Sequence, residues 1–401
     1  MIEVQLYTPL PYQKQVIDYV IENPKGRQVT VHSARQQGKS ITLSNILSYF
    51  SLTTKKRKSV FFSPTYKQAK TQMSNIVDNL GPVCQSNFGD MMIEFPNTGS
   101  RIQFLSGEMS DEALRGYTCS GLMVYDEAAF LAERIFEVTR PYTIAHHPTT
   151  IYISTPKFRR GTFYDRCMDE TVQHFRWHIE ETPYITNEDL EQIRRQTPPN
   201  IFRSEYLGEW LEESSDVFGD FSGVIEEHAD YQYTYGGIDW ATGTGNDATV
   251  LTLFNESRQM VMVKEWRTEP ADVVIERICE LCNQYNTTKL TIELNSIGHV
   301  FGDLLEKRLR GTQTKLVKFT TTNETKRSIV EDVILAIQNK ELTLLNNDQL
   351  LYEMAAFQVK STPSGKVTYS NDKDTSHDDY VMSLCIAYHN FKTGSGKLSF
   401  L

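Results

Sequence analysis

The sequence predicts an α/β protein of two domains, the first built on a mostly parallel sheet covered by helices. Between about residues 28 and 153, short apolar runs alternate with stretches of helical periodicity. The segment 209–223 (EWLEESSDVFGDFSG) is acidic and rich in turn residues, as a connector would be. The strand pattern then begins again. We therefore expect one domain over residues 1–210, with a helical lid or linker at its end, and a second over residues 211–401.

The composition suits a chain that buries two hydrophobic cores. It has 401 residues, of which 39% are hydrophobic and 23% are charged. No segment approaches the roughly 18 uncharged apolar residues of a membrane span, and the N-terminus has no signal-peptide pattern. The six cysteines are scattered through predicted helices and strands. These features predict a soluble protein of a reducing, intracellular compartment.

A phosphate-binding loop is predicted at residues 33–40, which read SARQQGKS between the apolar run Gln28–His32 and the helical run Ile41–Phe50. A strand–loop–helix junction points backbone N–H groups at phosphates. Lys39 would add positive charge at the β and γ phosphates, and the Ser40 hydroxyl would bind magnesium. Ser33 replaces the first glycine of the usual motif, so this segment alone also allows an ordinary turn. The loop residues are Ser33, Ala34, Arg35, Gln36, Gln37, Gly38, Lys39 and Ser40.

A second element of a nucleotide site follows the apolar strand Gly121–Tyr125, which ends in Asp126 and Glu127. Asp126 is predicted to bind through the magnesium ion. Glu127 is the candidate general base, because attack on a γ-phosphate needs an oriented water. A lone acidic pair is often just solvated, but after this loop and strand it favours an ATPase. The first domain is therefore predicted to be an ASCE-type P-loop NTPase.

The predicted elements of the second domain have the order of a ribonuclease-H-like fold. Three strands form an antiparallel meander, then helices alternate with one further strand, and a helix closes the domain. The predicted elements are strands Tyr233–Asp239, Thr249–Phe254, Gln259–Trp266 and Lys289–Glu293, and helices Ala271–Tyr285, Val300–Arg310 and Asp378–Asn390.

Acidic residues fall where such a fold holds metal ions. Asp239 lies within the first strand, Glu293 ends the fourth, and Asp378 and Asp379 open the last helix. Isolated buried carboxylates are unfavourable, so converging acids predict cations between them, and oxygen ligands select magnesium or manganese. Two such ions could cleave a phosphodiester. Asp247 is a weaker fourth candidate.

Each of these acids also has a structural interpretation. Asp379 could be only a helix cap and Glu293 only a surface acid. For the pair at the start of the last helix, we expect Asp378 to cap the helix and Asp379 to bind metal. A rotation by one residue would reverse those two roles.

The order of these motifs resembles the large terminase subunit of tailed bacteriophages, the motor-nuclease that packages viral DNA, over nearly the whole chain. The P-loop without its first glycine is usual in that family. The matching segments are Tyr12-Gln13 (adenine-side glutamine motif), SARQQGKS, VYDEAAF (Walker B), Tyr152–Thr155 (coupling motif), Phe202–Gly208 before the connector, and the nuclease acids with HDDYVMSL.

The resemblance implies roles that the residues alone do not. Gln13 would contact the adenine, Arg35 would reach the γ-phosphate in cis, and Arg115 would act in trans on a neighbouring subunit. Arginine suits such roles because its planar, permanently charged fork follows the charge of a phosphoryl transition state. For Arg115 a salt-bridged surface position is an equal alternative. Ser154 and Thr155 would sense the γ-phosphate.

The resemblance also implies cofactors and partners. These are ATP with magnesium, two magnesium or manganese ions for the nuclease, and double-stranded DNA held without sequence specificity. A small terminase subunit and the portal protein would be partners, and the chain would form a homo-oligomeric ring on the portal. We expect it in the cytoplasm of the infected host, transiently on the procapsid and absent from the mature virion.

Two other functions fit parts of the sequence. A cellular helicase-nuclease of repair or recombination shares an ATPase and an acidic nuclease, but it should carry a second motor domain. A catalytically silent DNA-docking subunit would have lost the lysine or an acid, and this chain keeps Lys39, Asp239 and Glu293.

Overall fold

The structure is a computed structural model that describes residues 6–212, 217–241, 248–294, 298–361, 367–371 and 377–392. The described chain divides into two compact units. The first comprises residues 6–194 and 199–212, and the second comprises residues 195–198, 217–361 and 367–392. No helix among the described residues is long and apolar enough to cross a membrane.

The first unit is a sheet flanked by helices. Its strands are β1 (Gln28–Ser33), β2 (Lys58–Ser63), β3 (Gln85–Asn87), β4 (Met92–Phe95), β5 (Ser100–Ser106), β6 (Met123–Asp126), β7 (Thr150–Ser154) and β8 (Gln173–Trp177). The helices are α1 (Pro11–Glu22), α2 (Lys39–Thr53), α3 (Tyr66–Leu80), α4 (Asp111–Leu114), α5 (Glu133–Thr139), α6 (Thr162–Met168), α7 (Asn187–Gln196, which begins in this unit) and α8 (Pro199–Ile201), and a π-helix spans Phe202–Tyr206.

The sheet has the order β3-β4-β5-β2-β6-β7-β1-β8. The strands from β5 to β8 in this order pair in parallel, and only β3 and β4 run antiparallel. This confirms the predicted mostly parallel α/β class.

Helices cover both faces of this sheet, which explains the nearly continuous apolar character of its central strands. Consecutive residues of a strand point to opposite faces. Phe61 belongs to the core that includes Leu43 of α2, whereas Phe62 belongs to the core that includes Ile135 of α5 and Phe163 of α6. The strand ends beyond these cores carry the candidate site residues.

One strand lies beyond the alternation expected between about residues 28 and 153. β8 (QHFRW) continues the parallel sheet beside β1. Only Trp177 of this strand is fully buried. An edge strand with so few buried side chains gives no apolar run, so its sequence lacks the signal of the central strands.

The second unit contains a mixed sheet and its covering helices. Its strands are β9 (Ile225–Glu226), β10 (Thr234–Asp239), β11 (Thr249–Asn255), β12 (Met260–Trp266), β13 (Thr287–Glu293), β14 (Lys315–Phe319), β15 (Leu344–Leu345), β16 (Gln358–Ser361) and β17 (Val367–Ser370). Its helices are α9 (Ala271–Gln284), α10 (Gly298–Leu309), α11 (Asn323–Gln338), α12 (Asp348–Ala356) and α13 (Asp379–His389).

The main sheet of this unit has the order β12-β11-β10-β13-β14. β10, β11 and β12 are antiparallel, whereas β13 pairs in parallel with both β10 and β14. The predicted meander followed by a parallel strand is confirmed. Strand β14 (KLVKF) was not predicted, because Lys315 and Lys318 leave only two consecutive apolar residues in it.

Helix α13 lies directly on β10. Ser383 donates a hydrogen bond to the carbonyl of Gly237 (3.1 Å), and the amide of Asn390 donates to the carbonyl of Gly236 (2.8 Å). A Cβ atom on Gly237 would lie 2.6 Å from Ala387 Cα and 2.7 Å from the carbonyl carbon of Ile386. Only glycine allows this approach of the two backbones.

We predict that Gly237→Ala destabilises the second unit. The added methyl group would meet rigid backbone, so the helix must move away, at a cost of about 1–3 kcal/mol. Urea unfolding of the full chain measures the change. Gly223→Ala is the matched control, because a Cβ there meets no atom of the described chain within 4 Å. Equal stability of the two variants would contradict the proposed contact.

His32 on β1 is a buried ionisable residue beside the phosphate loop. Its Nε2–H donates to the carbonyl of Gly208 (2.6 Å). Burial, with smaller effects of Arg176, His174 and His178, lowers the pKa of His32 to about 4, although the bond to Gly208 acts in the opposite direction. The folded protein therefore keeps this side chain neutral at pH values where the unfolded chain protonates it.

We predict an acid-sensitive contribution of His32 to stability. Because its folded pKa is about 4 and its unfolded pKa about 6.5, stability is full above pH 6.5 and falls between about pH 6.5 and 4, by roughly 3 kcal/mol in total. His32→Gln keeps an N–H donor but does not titrate. Hydrogen exchange of the β1 amides at pH 7 and at about pH 4.5, corrected for intrinsic rates, should show the larger loss in the wild type. Equal losses would refute the buried neutral histidine.

Candidate functional site

The loop between β1 and α2 has the shape of a phosphate-binding turn. Gly38, at the N-cap of α2, has φ +77° and Gln36 has φ +59°. Gln37 is buried, and its Oε1 accepts the N–H of Ala34 (2.8 Å). Ser33 stays within β1 with its hydroxyl bonded to the carbonyl of Ala34 (2.7 Å). The replacement of the first glycine is thus tolerated because this position does not need a left-handed backbone.

Gln13 of α1 supports this loop. Its amide nitrogen donates to the carbonyl of Gln37 (2.9 Å), and its amide oxygen accepts the N–H of Leu10 (2.8 Å). Both ends of the side chain are therefore bonded within the protein. The structure places Gln13 at the loop, and its contact with an adenine stays a prediction.

The predicted lysine and acids meet beside the loop. Lys39 Nζ lies 3.4 Å from Glu127 Oε1. The buried Ser154, at the end of β7, donates a hydrogen bond to the other oxygen, Glu127 Oε2 (3.2 Å). Strands β6 and β7 are parallel neighbours, so their carboxyl ends bring these groups together. Thr155, the next residue, is also buried.

Asp126 has the properties expected of a carboxylate that binds a cation. It ends β6, and its buried Oδ1 has no hydrogen-bond partner among the residues that the structure describes. Burial, and secondarily the charge of Glu127, raises the pKa of Asp126 to about 7, while Lys39 opposes the rise. An unsatisfied buried carboxylate oxygen is costly, and a hard divalent cation would satisfy it. Asp126 therefore fits the predicted magnesium role.

The backbone at Glu127 is left-handed, with φ +47° and ψ +48°. This region is unfavourable for a residue with a long side chain and is often found at functional sites. The conformation turns the chain sharply at the end of β6. In this conformation the Glu127 carboxylate contacts both Lys39 and Ser154.

The segment from Phe202 to Gly208 docks on the phosphate loop. Arg35 pairs with the Glu205 carboxylate through its Nε, and its backbone N–H donates to the Glu205 carbonyl (2.6 Å). Together with the bond from His32 to Gly208, these contacts join the loop to the chain that precedes the connector. The structure thus places Arg35 against Glu205, and its reach to a γ-phosphate stays a prediction.

Two other predicted residues are exposed. Ser40 lies in the first turn of α2, one residue after Lys39. Arg115 follows the short helix α4 and is exposed, as a residue that acts on a neighbouring subunit must be. Arg134 fixes the segment before Arg115 through bonds to the carbonyl of Gly107 (2.8 Å) and to the side chain of Asp111 (2.5 Å).

In the second unit, strand register places two of the predicted acids side by side. Ile238 of β10 is paired with Ile292 of β13 in a parallel ladder. The next residues, Asp239 and Glu293, therefore share the carboxyl edge of the sheet. Burial raises the pKa of Asp239 well above its usual value, and so do the charge of Glu293, the charge of Asp379 and a hydrogen bond with Glu293.

These acids lie close together, but the described side chains do not form a complete set of metal ligands. Within the described ranges, no group of three Asp, Glu, His or Cys side chains is placed so that it could hold a metal ion. Asp239 and Glu293 hydrogen-bond each other instead. Two adjacent carboxyl groups need a shared proton or a cation between them, so this donor set fits a hard divalent cation. Asp247 lies outside the described residues.

The structure separates the environments of Asp378 and Asp379. Asp378 stands at the N-cap of α13, but its side chain makes no capping hydrogen bond and pairs instead with Lys326 Nζ (2.8 Å). The expectation that the Asp378 side chain caps the helix is therefore wrong. Asp379 Oδ2 accepts the N–H of Ala248 beside β11 (2.7 Å), and its charge acts on Asp239. Asp379 thus remains the better candidate ligand.

Several residues that support these sites carry no signal in the sequence. Glu205 lies in a quoted motif, but nothing in that motif indicated its pairing with Arg35. Lys326 and the buried Glu353 of α12 belong to no motif at all. Their contacts join residues far apart in the chain, which only the folded structure shows.

Comparison with known families assigns both units. Residues 32–221 match the family model described as "Terminase large subunit, T4likevirus-type, N-terminal". Residues 236–391 match the model described as "Terminase RNaseH-like domain". The two models together include all the predicted site residues except Gln13.

Individual relatives agree with the family models. The large terminase subunit of Escherichia phage T5 is 27% identical over 232 residues, which are 54% of this chain and 51% of that protein. The chain thus spans about half the length of this relative.

Solved structures share the fold. The large terminase of a thermophilic bacteriophage has a TM-score of 0.63 at 12% identity, over 96% of this chain and 100% of that chain. The same thermophilic phage protein in complex with ADP gives a TM-score of 0.61 at 13% identity, over 97% and 100% of the two chains. The motifs, the two sheets and the two family models lead to one conclusion: the chain belongs to the terminase large subunit family of bacteriophages.

Proposed function

We propose that this protein is the ATP-driven motor of viral DNA packaging, and that it also cuts concatemeric DNA with a metal-dependent endonuclease. The observation that carries the proposal is that each unit gathers candidate catalytic side chains at the carboxyl ends of its parallel strands. Lys39, Glu127 and Ser154 meet in the first unit. Asp239 and Glu293 meet in the second.

In the first unit, the proposed chemistry is hydrolysis of ATP. Lys39 leaves Glu127 when the β and γ phosphates arrive, because phosphate is the stronger competitor for its charge. Ser154 then keeps the Glu127 carboxylate oriented as general base for water. Asp126 and Ser40 would hold magnesium. The large terminase of the thermophilic bacteriophage, which shares this fold, was solved with ADP and with ATP-γ-S.

Two arginines would complete the ATPase site. Arg35 would exchange Glu205 for the γ-phosphate, since both are oxyanions and its guanidinium is exposed at the loop. Arg115 would serve the adjacent subunit of a ring. Thr155, which is buried next to Ser154, would sense the loss of the γ-phosphate together with Ser154.

In the second unit, the proposed chemistry is hydrolysis of a DNA phosphodiester. Asp239, Glu293 and Asp379 would hold two magnesium or manganese ions, with Asp378 and Asp247 as further candidates. Such ions activate water and stabilise the leaving oxygen. Support for this proposal comes from the shared carboxyl edge of Asp239 and Glu293 and from the charge of Asp379 acting on Asp239. The units proposed for the two reactions are residues 1–210 and 211–401.

The proposed partners follow from the family. DNA would be held through its phosphates, without sequence specificity. The small terminase subunit would select the cleavage start, and the portal of the procapsid would carry a ring of this chain. The proposed location is the cytoplasm of the infected host, with transient binding to the procapsid and none to the mature virion.

We predict that the two activities separate by mutation. Lys39→Ala should abolish ATP hydrolysis and leave metal-dependent cleavage of supercoiled plasmid, whereas Asp239→Ala should do the reverse. The measurements are phosphate release and plasmid nicking with magnesium, with manganese and with chelator. Circular dichroism of each variant controls for folding. A wild type that releases no phosphate and cuts no DNA would refute the proposal.

We also predict unequal effects at the start of α13. Asp379→Asn should lower plasmid cleavage by about 100-fold or more, because loss of a direct ligand costs at least as much as the 10–100-fold typical of its supporting partners. Asp378→Asn should lower it less, since its partner in this structure is Lys326. The two variants are matched in charge and chemistry. A larger loss in Asp378→Asn would assign the ligand role to Asp378.

A further inference from the structure

A buried carboxylate on a different helix takes over the capping of α13. Glu353 of α12 is only 1% exposed. Its Oε2 accepts the backbone N–H of Tyr380 (2.8 Å) and also that of Val381 (3.4 Å). Its other oxygen accepts the side-chain amide of Gln349 (3.1 Å).

This arrangement is unusual because a helix normally receives its cap from the residue just before it. That residue here is Asp378, and its carboxylate points to Lys326 instead. The first-turn N–H groups of α13 would otherwise be unsatisfied in a buried environment. Glu353 therefore frees the two aspartates at the helix start from capping.

We propose that Glu353 is a positioning residue for the nuclease site: it fixes the first turn of α13 and thereby the placement of Asp379 relative to Asp239 and Glu293. The inference rests on the proposed nuclease function. Glu353 lies close enough to Asp379 for the charge of Asp379 to act on it. It acts through the main chain of the two residues that directly follow Asp379.

The same geometry determines what a substitution does. Glu353→Leu removes the acceptor and leaves two N–H groups unpaired, so the first turn of α13 loosens. Glu353→Gln keeps an oxygen for those N–H groups. Its new amide can face Gln349, whose own amide rotates to present its oxygen. The conservative variant should therefore restore the placement of Asp379.

The experiment measures Mn²⁺ binding to the full chain by electron paramagnetic resonance, without nucleotide or DNA. Loss of a group that orients a metal ligand typically weakens metal binding about 10–100-fold. We expect Glu353→Leu to weaken the nuclease-site affinity by at least about tenfold, and Glu353→Gln by less than about threefold. The Asp239→Ala variant identifies which bound Mn²⁺ belongs to this site. Plasmid cleavage at increasing Mn²⁺ should show the same shift in its midpoint.

Leu350→Ala is the matched control for a purely structural effect. Leu350 is fully buried on the same helix and has no polar side-chain atoms. It should lower stability but leave Mn²⁺ affinity within about threefold of the wild type. Equal affinities in Glu353→Leu and the wild type, or an equal shift in Leu350→Ala and Glu353→Leu, would overturn the inference. A wild type that binds Mn²⁺ at Asp239 but cuts no DNA would refute the nuclease proposal and leave this one standing.

Discussion

Repulsion between acidic side chains at strand ends is the constraint on which both units depend. Asp126 and Glu127 are consecutive at the end of one parallel strand, and Asp239 and Glu293 are adjacent across two others. Like charges this close cannot all remain ionised and uncompensated in a buried place. In the first unit, Lys39 and Ser154 contact the Glu127 carboxylate. In the second unit, the carboxyl groups of Asp239 and Glu293 share a hydrogen bond.

Several other residues of the second unit hold helix α13 close to Asp239 and Glu293. Gly237 removes the side chain that would separate α13 from β10, and Ser383 and Asn390 bond the helix to the strand. Glu353 then satisfies the start of the helix from α12. The position of Asp379 is thus determined by packing at several points along α13 and not by its own side chain alone.

Much of this arrangement could be predicted from the sequence, because the relevant signals are local. The P-loop, the Walker B acids and the central strands appear as short segments with strong apolar or motif character. The strands β8 and β14 were missed, since half-exposed edge strands bury few side chains. The pairing of Arg35 with Glu205 and the contact of Glu353 with α13 were also missed. They depend on distant segments that meet only after folding, and one charged residue in an ordinary helix gives no sign of its partner.

The left-handed backbone of Glu127 has an evolutionary consequence. Glycine or asparagine would adopt this conformation more easily, so by the stability of the fold alone either should replace glutamate. Neither offers a carboxylate to Lys39 and Ser154. A lineage of such proteins that no longer needed the proposed ATP hydrolysis should therefore drift toward glycine or asparagine at this position and gain stability as it does. Glutamate at this position thus provides the contacts with Lys39 and Ser154 against the preference of the backbone.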